Sequence, residues 1–210
     1  METMKRFILI VASIALLIPV LNSCKKGDED PFFSIYSRKH RLCHDWKFSN
    51  YKKILQHNDS IISYEFDGAS MKKIIGTQFY YFAATMQISF DKNGTYIWEE
   101  NISNDTSVYS YTEEGSWYFT GGGDDSDTKY KELLAMQKTK ITETLQTDGS
   151  TTTTNYSGSG NLDAIVYKII KLANQEVKLE SEIETNNIQV TPAATDFKTV
   201  TIVMDLERKK

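Results

Sequence analysis

The chain has 210 residues, 40% of them hydrophobic and 12% aromatic, with 11 Gly, 3 Pro and 2 Cys. That composition fits one globular domain and excludes collagen-like, low-complexity, disulfide-stapled and many-span membrane classes. The formal charge is −4, and Lys and Arg are scattered instead of forming a stripe, so no nucleic-acid partner is expected.

The N-terminus reads as an address. Lys5 and Arg6 precede a 15-residue apolar run, Phe7 to Leu21, interrupted near its end by Pro19. A helix of that length covers about 22 Å, short of a roughly 30 Å hydrocarbon core, which marks a secretory signal and not a spanning helix. The run ends Leu21-Asn22-Ser23-Cys24, an apolar residue and then a small one directly before Cys, and it resembles a bacterial lipobox. The resemblance implies a diacylglyceryl group on the Cys24 thiol, cleavage before Cys24, and acylation of the new amino terminus. The expected organisation is a lipoprotein signal peptide at 1–23, a lipidated Cys24 with a charged tether at 24–31, and one domain at 32–210. Acyl chains, at about 0.8 kcal/mol per buried CH2, would make the membrane a partner through a stable N-terminal lipid anchor. The expected location is the outer membrane, on its periplasmic face or at the cell surface. The acidic run Asp28-Glu29-Asp30 resembles the surface-export signal of Bacteroidetes lipoproteins. With Cys24 lipidated, Cys43 has no partner for an internal disulfide and is expected as a small buried residue.

Residues 32–43 suggest a short helix leading into the domain. Beyond them period-two alternation dominates. From Tyr80 to Phe90 the even positions Tyr80, Phe82, Ala84, Met86, Ile88 and Phe90 are apolar; Asp91-Lys92-Asn93-Gly94 supplies a turn, and Thr95 to Ile102 returns as the next strand. Val177, Leu179, Ser181 and Ile183 alternate with Glu and Lys, a strand with one dry face. Val200, Ile202, Met204 and Leu206 share a face of the last strand. Further strands are expected at 45–54, 60–66, 71–75, 106–119, 133–145 and 164–172. Residues 121–127 and 147–160, rich in Gly, Asp, Thr and Ser, read as long loops. The fold class is all-β: about 8–10 antiparallel strands forming a meander that closes into a barrel, with a short N-terminal helix and a sandwich as the competing arrangement.

Several short motifs carry a family resemblance. Leu42-Cys43-His44-Asp45-Trp46-Lys47, Phe90-Asp91-Lys92-Asn93-Gly94-Thr95-Tyr96, Gly115-Ser116-Trp117 and the pair Ile169 to Leu172 and Val177 to Leu179 together resemble the lipocalin-like lipoproteins of Bacteroidetes. The resemblance spans about residues 30–207 and implies a lipocalin-like barrel of eight or so strands with no agreed ligand. His44 stands where that family generally has Gly.

Candidate chemistry is sparse. His40 and His44, with Cys43 between them, lack the third and fourth ligands of a zinc motif, and Asp124, Asp125 and Asp127 lack the full calcium-loop spacing, so no metal and no cofactor are expected. Asp59-Ser60-Ile61 resembles an O-glycosylation sequon. Glu100 shares a face with Tyr96, Trp98 and Ile102, and Glu113 with Tyr109, Tyr111 and Trp117. If those faces point inward, the two carboxylates stand among aromatics, where lost hydration raises pKa; the alternative is a place at a barrel mouth or an outward flip at a bulge. Tyr80, Phe82, Tyr96, Trp98, Tyr109, Tyr111, Trp117 and Phe119 either fill a core or line a pocket. The ligand-binding candidates are therefore Tyr80, Phe82, Tyr96, Trp98, Tyr109, Tyr111, Trp117, Glu100 and Glu113. No nucleophile-base pair or phosphate loop is present, and the chain reads as a non-enzyme. The expected function is a membrane-anchored envelope lipoprotein binding a small hydrophobic or sugar-like ligand. The alternative is a non-catalytic structural or interaction module with an envelope protein partner.

Overall fold

The computed structural model describes residues 29–31, 36–57, 60–121, 133–157, 164–184 and 199–209. The segment expected as a signal peptide, Cys24, Asp59, and Asp124, Asp125 and Asp127 of the expected 121–127 loop lie outside these residues.

One short helix, α1 (Arg38–Leu42), precedes eleven strands. Ser37 caps it, its hydroxyl accepting from the His40 N–H at 3.1 Å. The strands are β1 (Asp45–His57), β2 (Ser60–Phe66), β3 (Ser70–Ile75), β4 (Gln78–Phe90), β5 (Thr95–Ser103), β6 (Ser107–Thr120), β7 (Leu133–Thr147), β8 (Ser150–Ser157), β9 (Ile165–Leu172), β10 (Glu176–Glu184) and β11 (Thr199–Arg208). Every pairing is antiparallel. The ring runs β6-β5-β4-β3-β2-β1-β11-β10-β9-β7 and closes through β7 on β6, making a ten-stranded barrel. The expected barrel is therefore the observed one, and the sandwich is excluded.

The barrel has unlike ends. At one end Asp45, Trp46 and Lys47 of β1 pair directly with Ser89, Ile88 and Gln87 of β4, bypassing the β2-β3 hairpin. At the other end that hairpin is wedged between β1 and β4 and widens the wall. The narrow end is closed by α1: Leu42 and Cys43 are buried, and the Trp46 indole N–H donates to the Leu42 carbonyl at 2.8 Å. The lead-in is pinned there too. Glu29 N–H donates to the Ile170 carbonyl at 2.9 Å, and Asp30 accepts from the Leu172 N–H and from Arg38, both at 2.6 Å.

The Asp91-Lys92-Asn93-Gly94 turn forms as read. Asp91 accepts from the Asn93 N–H at 2.9 Å, and Gly94 has φ +91°, a conformation costly for residues with a Cβ. Of the expected loop at 147–160, residues 147–157 belong instead to the β7-β8 hairpin, turning at Asp148-Gly149 with Gly149 at φ +82°, and residues 158–160 lie outside the described residues. Seven of the eight β8 residues are exposed, so there is no dry face to imprint an alternation, while the β-branched Thr run suits extended backbone.

Core packing fills the narrow half. Trp46, Phe48, Ile88, Phe90, Trp117, Leu134, Leu172, Val177 and Leu206 are buried there, each at an inward strand position.

Candidate functional site

Above that plug the barrel holds a cavity of about 300 Å3, lined chiefly from β1, β5, β6 and β7. Two backbone irregularities determine what faces it. In β1 the pairing with β11 slips between Phe48 and Asn50, leaving Ser49 as an extra residue. Trp46 and Phe48 face inward before it; Tyr51, Lys53 and Leu55 face inward after it. In β7 the pairing with β6 slips between Glu114 and Gly115, leaving Thr139 extra, with its hydroxyl on the Glu114 carbonyl at 3.0 Å. Leu134, Met136 and Lys138 point inward before it, and Ile141 and Glu143 after it. A β-bulge changes the phase of alternation by one residue, and these two bring Lys53 and Glu143 into the lumen.

Glu113 is the best-anchored group in the cavity. It is 4% exposed and accepts from the Tyr96 hydroxyl at 2.6 Å, from the Tyr111 hydroxyl, and from Lys138 Nζ at 2.7 Å. Burial works to raise its pKa, but the Lys138 charge and these hydrogen bonds outweigh it and hold the carboxyl below the usual range. Burial and the neighbouring Glu113 charge push the Tyr96 and Tyr111 phenols upward, so both stay neutral donors.

Glu100 differs. No hydrogen bond holds its carboxyl among the described residues, and burial, with Glu113 adding to it against the opposing charge of Lys53, pushes its pKa up to about 7. Lys53, across the lumen, is pushed down to about 8, mainly by burial and by Lys138. The Trp98 indole N–H is buried without an acceptor on a residue that lines the same cavity. Glu113 is thus saturated by the protein, whereas Glu100, Lys53 and Trp98 retain hydrogen-bonding capacity.

Of the sequence-expected ligand residues, Trp98, Glu100, Tyr109, Tyr111 and Glu113 line the cavity. Tyr109 donates to Glu143 at 3.2 Å. Tyr96 lies one layer below, reaching Glu113 through its hydroxyl. Three expectations need correction. Trp117 belongs to the plug, in edge contact with Phe90 and Phe119 and with its indole N–H on the Asp91 carbonyl at 3.1 Å. Phe82 packs against the core without lining the cavity. Tyr80 is 45% exposed where the β3-β4 hairpin rises past the closed ring, with its hydroxyl on Gln78. Both Tyr80 and Phe82 share the parity of the inward face, but β4 is longer than the part of the wall that encloses the lumen. Sequence reading missed Tyr51, Lys53, Tyr64, Lys138, Glu143 and Tyr167. Tyr167, Tyr64 and Lys138 were legible by parity with Ile165, Ile62 and Met136; Lys53 and Glu143 were hidden by the bulges.

The histidine pair lies at the closed end. His40 stacks on Tyr36 at 4.7 Å and meets His44 edge-on at 5.6 Å, and burial with nearby Arg208 lowers the His44 pKa. Among the described residues no group of three or more His, Cys, Asp and Glu is placed to hold a metal ion. Among the same residues no helix is long and apolar enough to cross a membrane.

The fold and cavity define the class as a closed antiparallel β-barrel with a polar lumen. In comparisons with known proteins, no family model, no curated protein and no solved structure matches the chain.

Proposed function

We propose that the protein is an envelope lipoprotein, held in the outer membrane by acyl chains on Cys24, whose barrel binds a small polar, sugar-like ligand without transforming it. The observation that carries this reading is the division of the lumen into a saturated carboxylate, Glu113, and unsaturated groups, Glu100, Lys53 and the Trp98 N–H. A purely apolar ligand would strip water from Glu100 and Lys53 and return no hydrogen bond, at a cost of about 2 kcal/mol or more for each. A hydroxyl-rich molecule both donates and accepts, so one ligand serves Glu100 and Lys53 together while the Trp98 and Tyr111 rings cover its apolar faces. At about 300 Å3 the cavity sits at the small end of ligand sites, which suits a single ring better than a long acyl chain. The lipocalin-like resemblance and the lipobox are consistent with this reading.

Titration calorimetry with a panel of neutral monosaccharides, set against a fatty acid and an apolar dye, tests it. Heat from a sugar that disappears in Lys53→Met and Glu100→Leu supports the reading; saturable binding of the apolar ligands alone overturns the sugar-like part.

A second reading, an interaction module of an envelope complex, is favoured by one observation. Phe79 and Tyr81 stand 60% and 61% exposed on the outer face of β4, with Lys72 Nζ over both rings at 5.5 and 5.9 Å. Alanine substitution of both aromatics would release a protein partner and leave sugar binding intact.

A further inference from the structure

The route from Cys24 to the barrel constrains how the molecule can sit on a bilayer. Cys24 and Glu29 are five residues apart, a contour of at most about 18 Å. Glu29 is fixed at the closed end by its N–H on the Ile170 carbonyl and by its carboxylate on Lys178 Nζ at 3.0 Å. Asp30, the next residue, is locked to Leu172 and Arg38. The 13-residue β1 spans the barrel from its closed end to its mouth; at about 3.3 Å per residue and a tilt near 40°, it covers roughly 33 Å along the axis. A mouth-down placement needs a tether nearly twice as long as the chain supplies.

The same end also presents cations. Lys39 and Lys92 lie close enough to Cys43, and Arg208 and Lys92 close enough to His44, to act electrostatically on them. None of these three cations has a carboxylate partner among the described residues, although Asp91 and Asp45 stand nearby. Anionic headgroups attract each surface cation by about 1 kcal/mol, which favours an end-on stance over a barrel lying on its side.

We propose that the closed end of the barrel rests on an anionic bilayer surface, with Lys39, Lys92 and Arg208 against its headgroups and the cavity mouth facing away. This rests on the lipid anchor at Cys24. The consequence for function is direct: the ligand enters from the aqueous side and not from the lipid phase.

The test uses the full acylated chain in vesicles of phosphatidylethanolamine and phosphatidylglycerol that carry a lipid-linked fluorescence acceptor. Donor dyes are placed singly at Asn93→Cys, in the closed-end turn, and at Thr77→Cys, in the mouth turn, in a Cys43→Ala background. Several-fold stronger transfer from position 93 than from position 77 is expected, with the difference shrinking in a Lys39→Glu, Lys92→Glu, Arg208→Glu chain. Equal transfer, or stronger transfer from position 77, overturns the proposal. Hydrogen exchange on the unsubstituted protein provides a second measurement should a variant fail to fold. Vesicles should slow exchange in residues 38–44 and 91–94 and leave 76–78 unchanged; slowing at 76–78 alone overturns the proposal. A mass spectrum of the N-terminal peptide separates the two failures: no acyl group on Cys24 removes the anchor and this proposal together, whereas an acylated chain without the gradient removes the orientation only.

Discussion

Glu113 and Glu100 are both lumen carboxylates, yet their surroundings push them in opposite directions. Glu113 has three donors and stays ionised; Glu100 has none among the described residues and gains a proton near neutrality. The Glu113→Gln variant leaves Lys138 without its counter-charge and is expected to lose about 3 kcal/mol in urea unfolding at pH 7. The sign with pH follows from the folded-state shifts. Since Glu113 is held below its ordinary value, its stabilisation is present above about pH 4.3 and is lost as pH falls through its folded pKa. Glu100 acts the other way. Its folded pKa of about 7 exceeds the unfolded value, so stability declines between about pH 4.3 and 7 and is flat above. Glu100→Gln is therefore expected to raise the unfolding free energy by on the order of 2 kcal/mol at pH 8 and to leave it nearly unchanged at pH 4. Parallel urea curves at both pH values check this, and equal effects at the two would contradict the assigned burial of Glu100.

Between residue and molecule, the strands show where sequence pattern is informative and where it fails. Gly115 lies under the Tyr96 ring: a Cβ there would come within 2.3 Å of the Gln137 carbonyl and 2.5 Å of the ring. Gly115→Ala must displace backbone or unseat the phenol that holds Glu113, and a loss of about 3 kcal/mol is expected in thermal or urea unfolding. The Gly115-Ser116-Trp117 motif noticed in the sequence thus has a steric reason. Strands with one dry face, such as β4, β5, β10 and β11, were legible because burial writes a period of two into the chain. The lumen was only half legible. Trp98, Glu100, Tyr109, Tyr111 and Glu113 follow an unbroken alternation, whereas Lys53 and Glu143 sit beyond extra residues at Ser49 and Thr139 that reverse it. A polar residue after an unseen bulge reads as solvent-facing. Deleting Thr139 removes the extra residue itself, so Lys138, Ile141 and Glu143 keep their inward faces and cooperative urea unfolding should be retained; loss of cooperative unfolding would contradict the assignment of Thr139 as the extra residue.

At the scale of the whole molecule, one end is narrow, plugged with aromatics and capped by α1, while the other is widened by the β2-β3 hairpin and holds the polar lumen. That asymmetry gives a barrel with one mouth, which the proposed anchor at Cys24 would turn away from the bilayer. The central claim is that the lumen carries a small polyhydroxylated ligand. Native mass spectrometry of the protein released in mild detergent from its own host's membranes tests it most directly. The expected result is a small-molecule adduct on the acylated chain that is released on unfolding, contains several hydroxyl groups, and is missing from the Glu100→Leu and Lys53→Met chains prepared in the same way. A spectrum showing only the acylated polypeptide, or an adduct retained unchanged in both variants, would contradict the claim.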